Sequence, residues 1–216
     1  GPIIEQLNSE ELLALVDLVA FWGDEDKFAL RILERFSQLA NTELFSTSPG
    51  FTLTGNSVQV SKRTMEPHTF ARLVQKIMLM PASVLQSHEM LIPLVKGYYQ
   101  REAKNISFED AVLVLDSLLL VTPPGDLHNE FIHNRLVTEK INNTGTFVLT
   151  LKLIGHLISK SKSGTLLNDS KTLASILRML EDQIPYLGEW ADQRQIQVLV
   201  SAAEAIAPLK GVISEN

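Results

Sequence analysis

Residues 107–121, SFEDAVLVLDSLLLV, followed at once by Thr122-Pro123-Pro124-Gly125, decide how the rest of this chain is read. Ser107 with Asp110 has the form of an N-capping box, and the two prolines stop whatever begins there. Both ends of a helix are therefore marked. After Asp110 only Asp116 and Ser117 are polar, so Ala111 to Leu115 and Leu118 to Val121 leave almost no face for water. A helix that is apolar nearly all round lies between neighbours. It is shorter than the roughly 18 apolar residues of a membrane span, and an aspartate interrupts it. The expectation is a central helix in a layered, all-helical array.

The whole chain fits that setting. It has 216 residues, 45% of them hydrophobic and 20% charged, a globular composition with enough length for one large core. There is no cysteine, so disulfides, thiolate metal sites and a cysteine nucleophile are excluded. Gly1-Pro2 reads as a scar of tag removal, with residues 1–7 as leader, 8–209 as a single helical domain and 210–216 as a frayed tail. A soluble, intracellular protein is expected. Its compartment stays open, organelles included, because a natural N-terminus is expected to be missing. The net charge of −6 is uneven: residues 1–45 carry nine acids against three bases, and 46–110 carry seven bases against five acids. Acidic ends and a mildly basic middle point to a polarised surface. The triplets starting at Asn105, Asn142 and Asn168 read as helix-start chemistry rather than glycosylation sites.

Before the central stretch, Asn8-Ser9-Glu10-Glu11 opens a helix, and Asp24 caps a second carrying Phe28, Ile32, Leu33, Phe36 and Leu39. The segment 41–64 breaks the pattern. Within it, residues 51–60 alternate with period two around Gly55-Asn56, the mark of a small β-hairpin insertion. Helix resumes over Thr64–Met80 with Pro67 in its first turn, and Pro81 starts another to about Ala103, which Pro93 should kink or split near Met90. Downstream, Asp126 is expected to cap a helix through about Ile141. Further helices follow over about 146–158, 168–184 and 192–207.

Written as pairs, the first helices begin near 8, 66, 107, 144 and 192, so the last three intervals are about 41, 37 and 48, and the first is about 58 because it contains the hairpin insertion. By this period the chain resembles HEAT and armadillo repeats, with no repeated motif at fixed offsets inside the units. The resemblance implies stacked antiparallel helix pairs, an α-solenoid of about nine or ten helices.

Reactive groups do not converge in the sequence. His128 and His133 are five apart, whereas two ligands on one helical face need four, so they are read as surface histidines. His156, on an apolar helix, is expected to be hydrogen bonded in the core. Ser159-Lys160-Ser161-Lys162 and Lys162-Ser163-Gly164 overlap, although Ser-x-x-Lys and Lys-Ser-Gly chemistry requires separate elements. No cofactor, metal or catalytic residue is expected.

Two function classes remain. The first is a non-catalytic scaffold binding other proteins within a multi-subunit complex, through Trp22, Asp24, Glu25, Asp26, Trp190 and the hairpin positions Phe51, Leu53, Val58 and Val60. The alternative is an RNA-binding repeat module in RNA processing. There Arg72, Lys76, Lys96, Arg101 and Lys104 would meet phosphates, and Tyr98 and Tyr99 would stack on bases. The pI near 5.4 weighs against a large counterion-release term.

Overall fold

The computed structural model describes residues 4–18, 26–41, 65–139, 141, 143–160 and 200. Of these, 76% are helical and none lies in a strand, which makes the fold all-α. The expected hairpin at 51–60 and the helices over 168–184 and 192–207 fall outside the described residues. The chain divides into two compact units, Gly1–Ser107 and Phe108–Asn216.

In the first unit a 3-10 turn, Ile4–Gln6, leads into α1, Ser9–Leu18. Its start is a true capping box: Asn8 Oδ1 accepts the Glu11 N–H at 2.9 Å, and the Asn8 N–H is given to Glu11 Oε2 at 2.8 Å. Helix α2, Asp26–Asn41, runs past this turn, and its Arg31 holds Glu5 through two nitrogens at 2.7 to 2.9 Å while Arg35 reaches the Leu7 carbonyl at 2.7 Å. Helix α3 is Pro67–Ile77, with the proline at the first helical position, where its missing N–H leaves no bond unmade. Pro81 precedes α4, Ala82–Gln86, and α5 is Leu91–Arg101. Pro93 thus splits the long apolar segment as expected. The break falls over residues 87–90, so that the proline stands in the first turn of α5.

The core of this unit is built from Leu12 and Val16 of α1, Ile32, Leu33 and Phe36 of α2, and Phe70, Leu73, Val74 and Ile77 of α3, all buried. Phe70 lies between Phe36, 5.7 Å away, and Tyr98 of α5, 3.7 Å away and nearly parallel. The Tyr98 hydroxyl donates to the Met65 carbonyl, which satisfies its polar tip inside the core.

The second unit begins with α6, Phe108–Leu118. Every residue from Asp110 to Leu119 is buried. The α-helix ends three residues before Val121: the Leu120 and Val121 N–H groups bond back to the Ser117 and Leu118 carbonyls, each at 3.1 Å, tightening the chain ahead of Pro123. Leu120 and Val121 are consequently exposed. Gly125, not Asp126, stands at the cap of α7, Asp126–Phe131. One π turn, Ile132–Leu136, ends that segment, so the single helix expected to reach Ile141 stops short. Helix α8 is Thr144–Lys160, with Asn143 Oδ1 accepting the Thr146 N–H at 2.7 Å as its cap.

Two predictions follow from this packing. Leu115, with no exposed surface, and Leu120, 44% exposed, stand five residues apart. Leu115→Ala is expected to cost about 2–5 kcal/mol in urea unfolding, against about 0.5 kcal/mol or less for Leu120→Ala. The Glu5 carboxyl is held below its ordinary value by a backbone N–H and by the Arg31 guanidinium. Its folded pKa lies below the unfolded one, so the clamp's contribution is complete above the unfolded value and disappears as pH falls through the folded value. In a carbon-detected NMR titration Glu5 should titrate below a peptide glutamate, and Arg31→Ala should move it back toward the peptide midpoint.

Candidate functional site

Helix α6 has no wet face, yet it carries Asp116, and a buried carboxylate is costly unless it is paired. The partners come from α8. Asp116 Oδ2 receives Lys152 Nζ at 3.0 Å and Oδ1 meets His156 Nδ1 at 2.6 Å. The carboxylate is 12% exposed, whereas Lys152 and His156 are 46% and 37% exposed, so the two basic side chains form the rim and Asp116 the floor. One end of the same seam is closed by Glu109 Oε2 accepting the Thr146 hydroxyl at 2.9 Å. At the other, Lys160 Nζ donates to the Leu119 carbonyl, one of the carbonyls an α-helix leaves open at its end.

These contacts give a direction. Partners advance together along both helices, separated by 37, 40 and 41 residues, so α6 and α8 run parallel. Helix α7 runs back between them in sequence: His128 bonds the Leu115 carbonyl late in α6, while Phe131 packs on Phe108 at 5.2 Å and Arg135 lies over the same ring at 5.8 Å.

The residues singled out in the sequence are placed as follows. Trp22, Asp24, Glu25, Phe51, Leu53, Val58, Val60 and Trp190 lie outside the described residues, and Asp26 opens α2. Arg72, Lys96 and Lys104 are exposed, and Lys76 pairs with Asp17 at 3.1 Å. Tyr98 and Tyr99 are buried, so neither offers a face on which a base could stack. Arg101 sits 5.1 Å above the Tyr98 ring and near Glu102. It also lies about 140° around the helix from Lys96, because five residues at about 100° each do not return to one face. The basic groups of α5 therefore do not form a stripe.

His128 is corrected from surface to interior: it is buried, its Nδ1 accepts the Gly125 N–H at 3.2 Å, and the other nitrogen faces the Leu115 carbonyl at 3.1 Å. That pattern requires the proton on Nε2. His133 is exposed on the π turn, so the two histidines do not converge. His156 does have its expected hydrogen bond, at the rim rather than deep in the core. Among the described residues no three histidine, aspartate or glutamate side chains are placed to hold a metal ion. Asp116 orients an imidazole as the acid of a catalytic pair would. Among the described residues, however, no hydroxyl is hydrogen bonded to that ring; Ser159 bonds the His156 backbone carbonyl instead.

The union of Asp116 with Lys152 and His156 was not among the groupings expected from the sequence. A signal existed, since an acid in a helix without a wet face demands a cation, and the separation is close to the helix-pair period.

Compared with known protein families, curated proteins and solved structures, the chain matches none. No described helix is long and apolar enough to cross a membrane.

A double-mutant cycle tests the rim. We expect Asp116 and His156 to couple by about 1 kcal/mol and Asp116 and Lys152 by about 0.5 kcal/mol, the more exposed ammonium being better screened. Additive effects in both cycles would show the contacts to be energetically empty.

Proposed function

We propose that the chain is a non-catalytic, HEAT- or armadillo-like helical-repeat scaffold that binds other proteins as a subunit of a larger assembly. The observation that carries this reading is the sequence α6 forward, α7 back, α8 forward, with α6 and α8 in parallel register at separations of 37 to 41 residues. This is the geometry one helical pair adopts beside the start of the next, and the separation is the length of one such repeat. Stacked pairs bury a continuous core and leave long surfaces whose side chains are free to vary, a construction suited to holding partners. Burial of Tyr98 and Tyr99 takes from the RNA reading the rings on which it relied.

The test is affinity capture of the tagged chain from native extract with chemical cross-linking, carried out with and without ribonuclease. We expect a defined set of partner proteins that persists after digestion. Loss of every partner on RNA digestion would transfer the function to nucleic acid, and capture of none would remove the scaffold reading.

A further inference from the structure

From Lys140 to Asn168 the chain contains four lysines and one histidine and no acid, although it carries a net charge of −6 overall. Helix α8 occupies the middle of that stretch. Its buried side carries Phe147, Leu151, Ile154 and Leu157, and the opposite side presents Lys152, His156 and Lys160. These three stand four residues apart, so they follow one line up the helix at about 6 Å intervals. Asp116 fixes the first two heads without covering them, since they stay 46% and 37% exposed. Lys160 reaches the carbonyl of Leu119, and the next two residues along the chain, Leu120 and Val121, are apolar side chains 44% and 38% exposed in the turn that ends α6. The basic line thus ends at the turn that carries this small apolar ledge.

We propose that this strip, Lys152, His156 and Lys160 with Leu120 and Val121, is a docking surface for an acidic, leucine-type peptide segment of a partner protein. The proposal rests on the scaffold reading and names the partner chemistry for it. Charge complementarity selects an anionic occupant: the exposed side of α8 carries Lys152 and Lys160 and no acid of its own, Asp116 lies beneath Lys152 at 12% exposure, and Lys160 meets a carbonyl rather than a carboxylate. The ledge selects a peptide over a nucleic acid: it offers aliphatic contact to an apolar side chain. The strip has no aromatic ring for a base and only two full charges for a phosphate backbone. Held heads also lose less freedom on binding than free lysines do, since Asp116 and the α6 terminus have already restricted them.

The probe is a short fluorescent peptide alternating glutamate and leucine, titrated against the full chain by anisotropy, with a glutamine-for-glutamate version and an oligouridine of similar length as controls. The glutamate peptide should bind, weakening about tenfold between ~0.05 M and ~0.5 M salt. Lys152→Gln with Lys160→Gln should weaken it by about tenfold or more, Lys160→Gln alone by about threefold with the Asp116 pairings intact, and the double arginine variant hardly at all. Leu120→Ser should weaken it with no change in salt dependence. Equal binding of the glutamine peptide, or full binding by a folded double glutamine variant, would overturn the proposal, as would oligouridine being the ligand that the lysine changes release. Cross-linked partners that persist in the double glutamine variant would likewise remove this surface while leaving the scaffold reading in place. Partners absent from the parent chain would remove both.

Discussion

A helix buried on all sides sets the terms for the second unit. Ten consecutive residues, Asp110 to Leu119, are shielded from water, so α6 cannot lie on a surface as an amphipathic helix does. Neighbours must supply apolar contact around its circumference and a partner for each polar atom. Ser117 meets the demand locally, its hydroxyl donating to the Leu113 carbonyl one turn earlier. Asp116 cannot, because a carboxylate has no proton to give a carbonyl. It must find donors on another element, and Lys152 and His156, one turn apart on α8, are the donors it finds. Hydrophobic burial favours contact between α6 and α8 without choosing a register, whereas a single paired acid chooses one. Directional polar contacts within an apolar interface are one means by which a fold rejects its near alternatives.

Parallel helices impose a second constraint. Their facing ends cannot be joined by a short turn, so the chain must travel the length of the pair before starting again. Helix α7 makes that return journey. Pro123 and Pro124 halt α6, Gly125 redirects the backbone, and His128 fastens the turn by accepting the Gly125 N–H while facing the Leu115 carbonyl. At the far end the π turn brings Arg135 over Phe108 and into contact with Glu139. The return is thereby tied to α6 at both extremities, and its helical content is short because much of its work is done by turns.

What could be read in the sequence follows from the range of each interaction. Several starts were legible because caps and prolines act within a few residues: Asn8 with Glu11, Pro67, Pro81 and Pro93 stand where local chemistry placed them, whereas Gly125 took the cap expected of Asp126. The central helix was legible because its apolar surface is continuous. Side-chain destinations were less so. Lys96, Tyr98, Tyr99 and Arg101 make a convincing nucleic-acid string when written in a line. Winding them at 3.6 residues per turn separates the cations and turns the rings inward, where Phe70 waits on another helix. His128 escaped for the same reason: its partners are a glycine amide three residues back and a carbonyl thirteen residues back, and only the folded turn brings them together. The site on α6 and α8 was half legible, since the need of Asp116 for a partner was written in its neighbours but the identity of that partner was not.

The same acid connects packing to surface. A lysine on a solvent-facing helix ordinarily samples many rotamers, and its charge is spread over the volume it sweeps. Lys152 and His156 share one fixed carboxylate, and Lys160 is drawn to the Leu119 carbonyl just past the end of α6, so three basic heads are aligned by the demands of a helix that none of them belongs to. Neutralising a buried charge normally consumes the cation that does it. Here the single negative charge of Asp116 is shared between two α8 side chains, and Lys160 has no carboxylate partner among the described residues, so the arrangement that makes α6 tolerable inside the fold also sets a basic edge along α8.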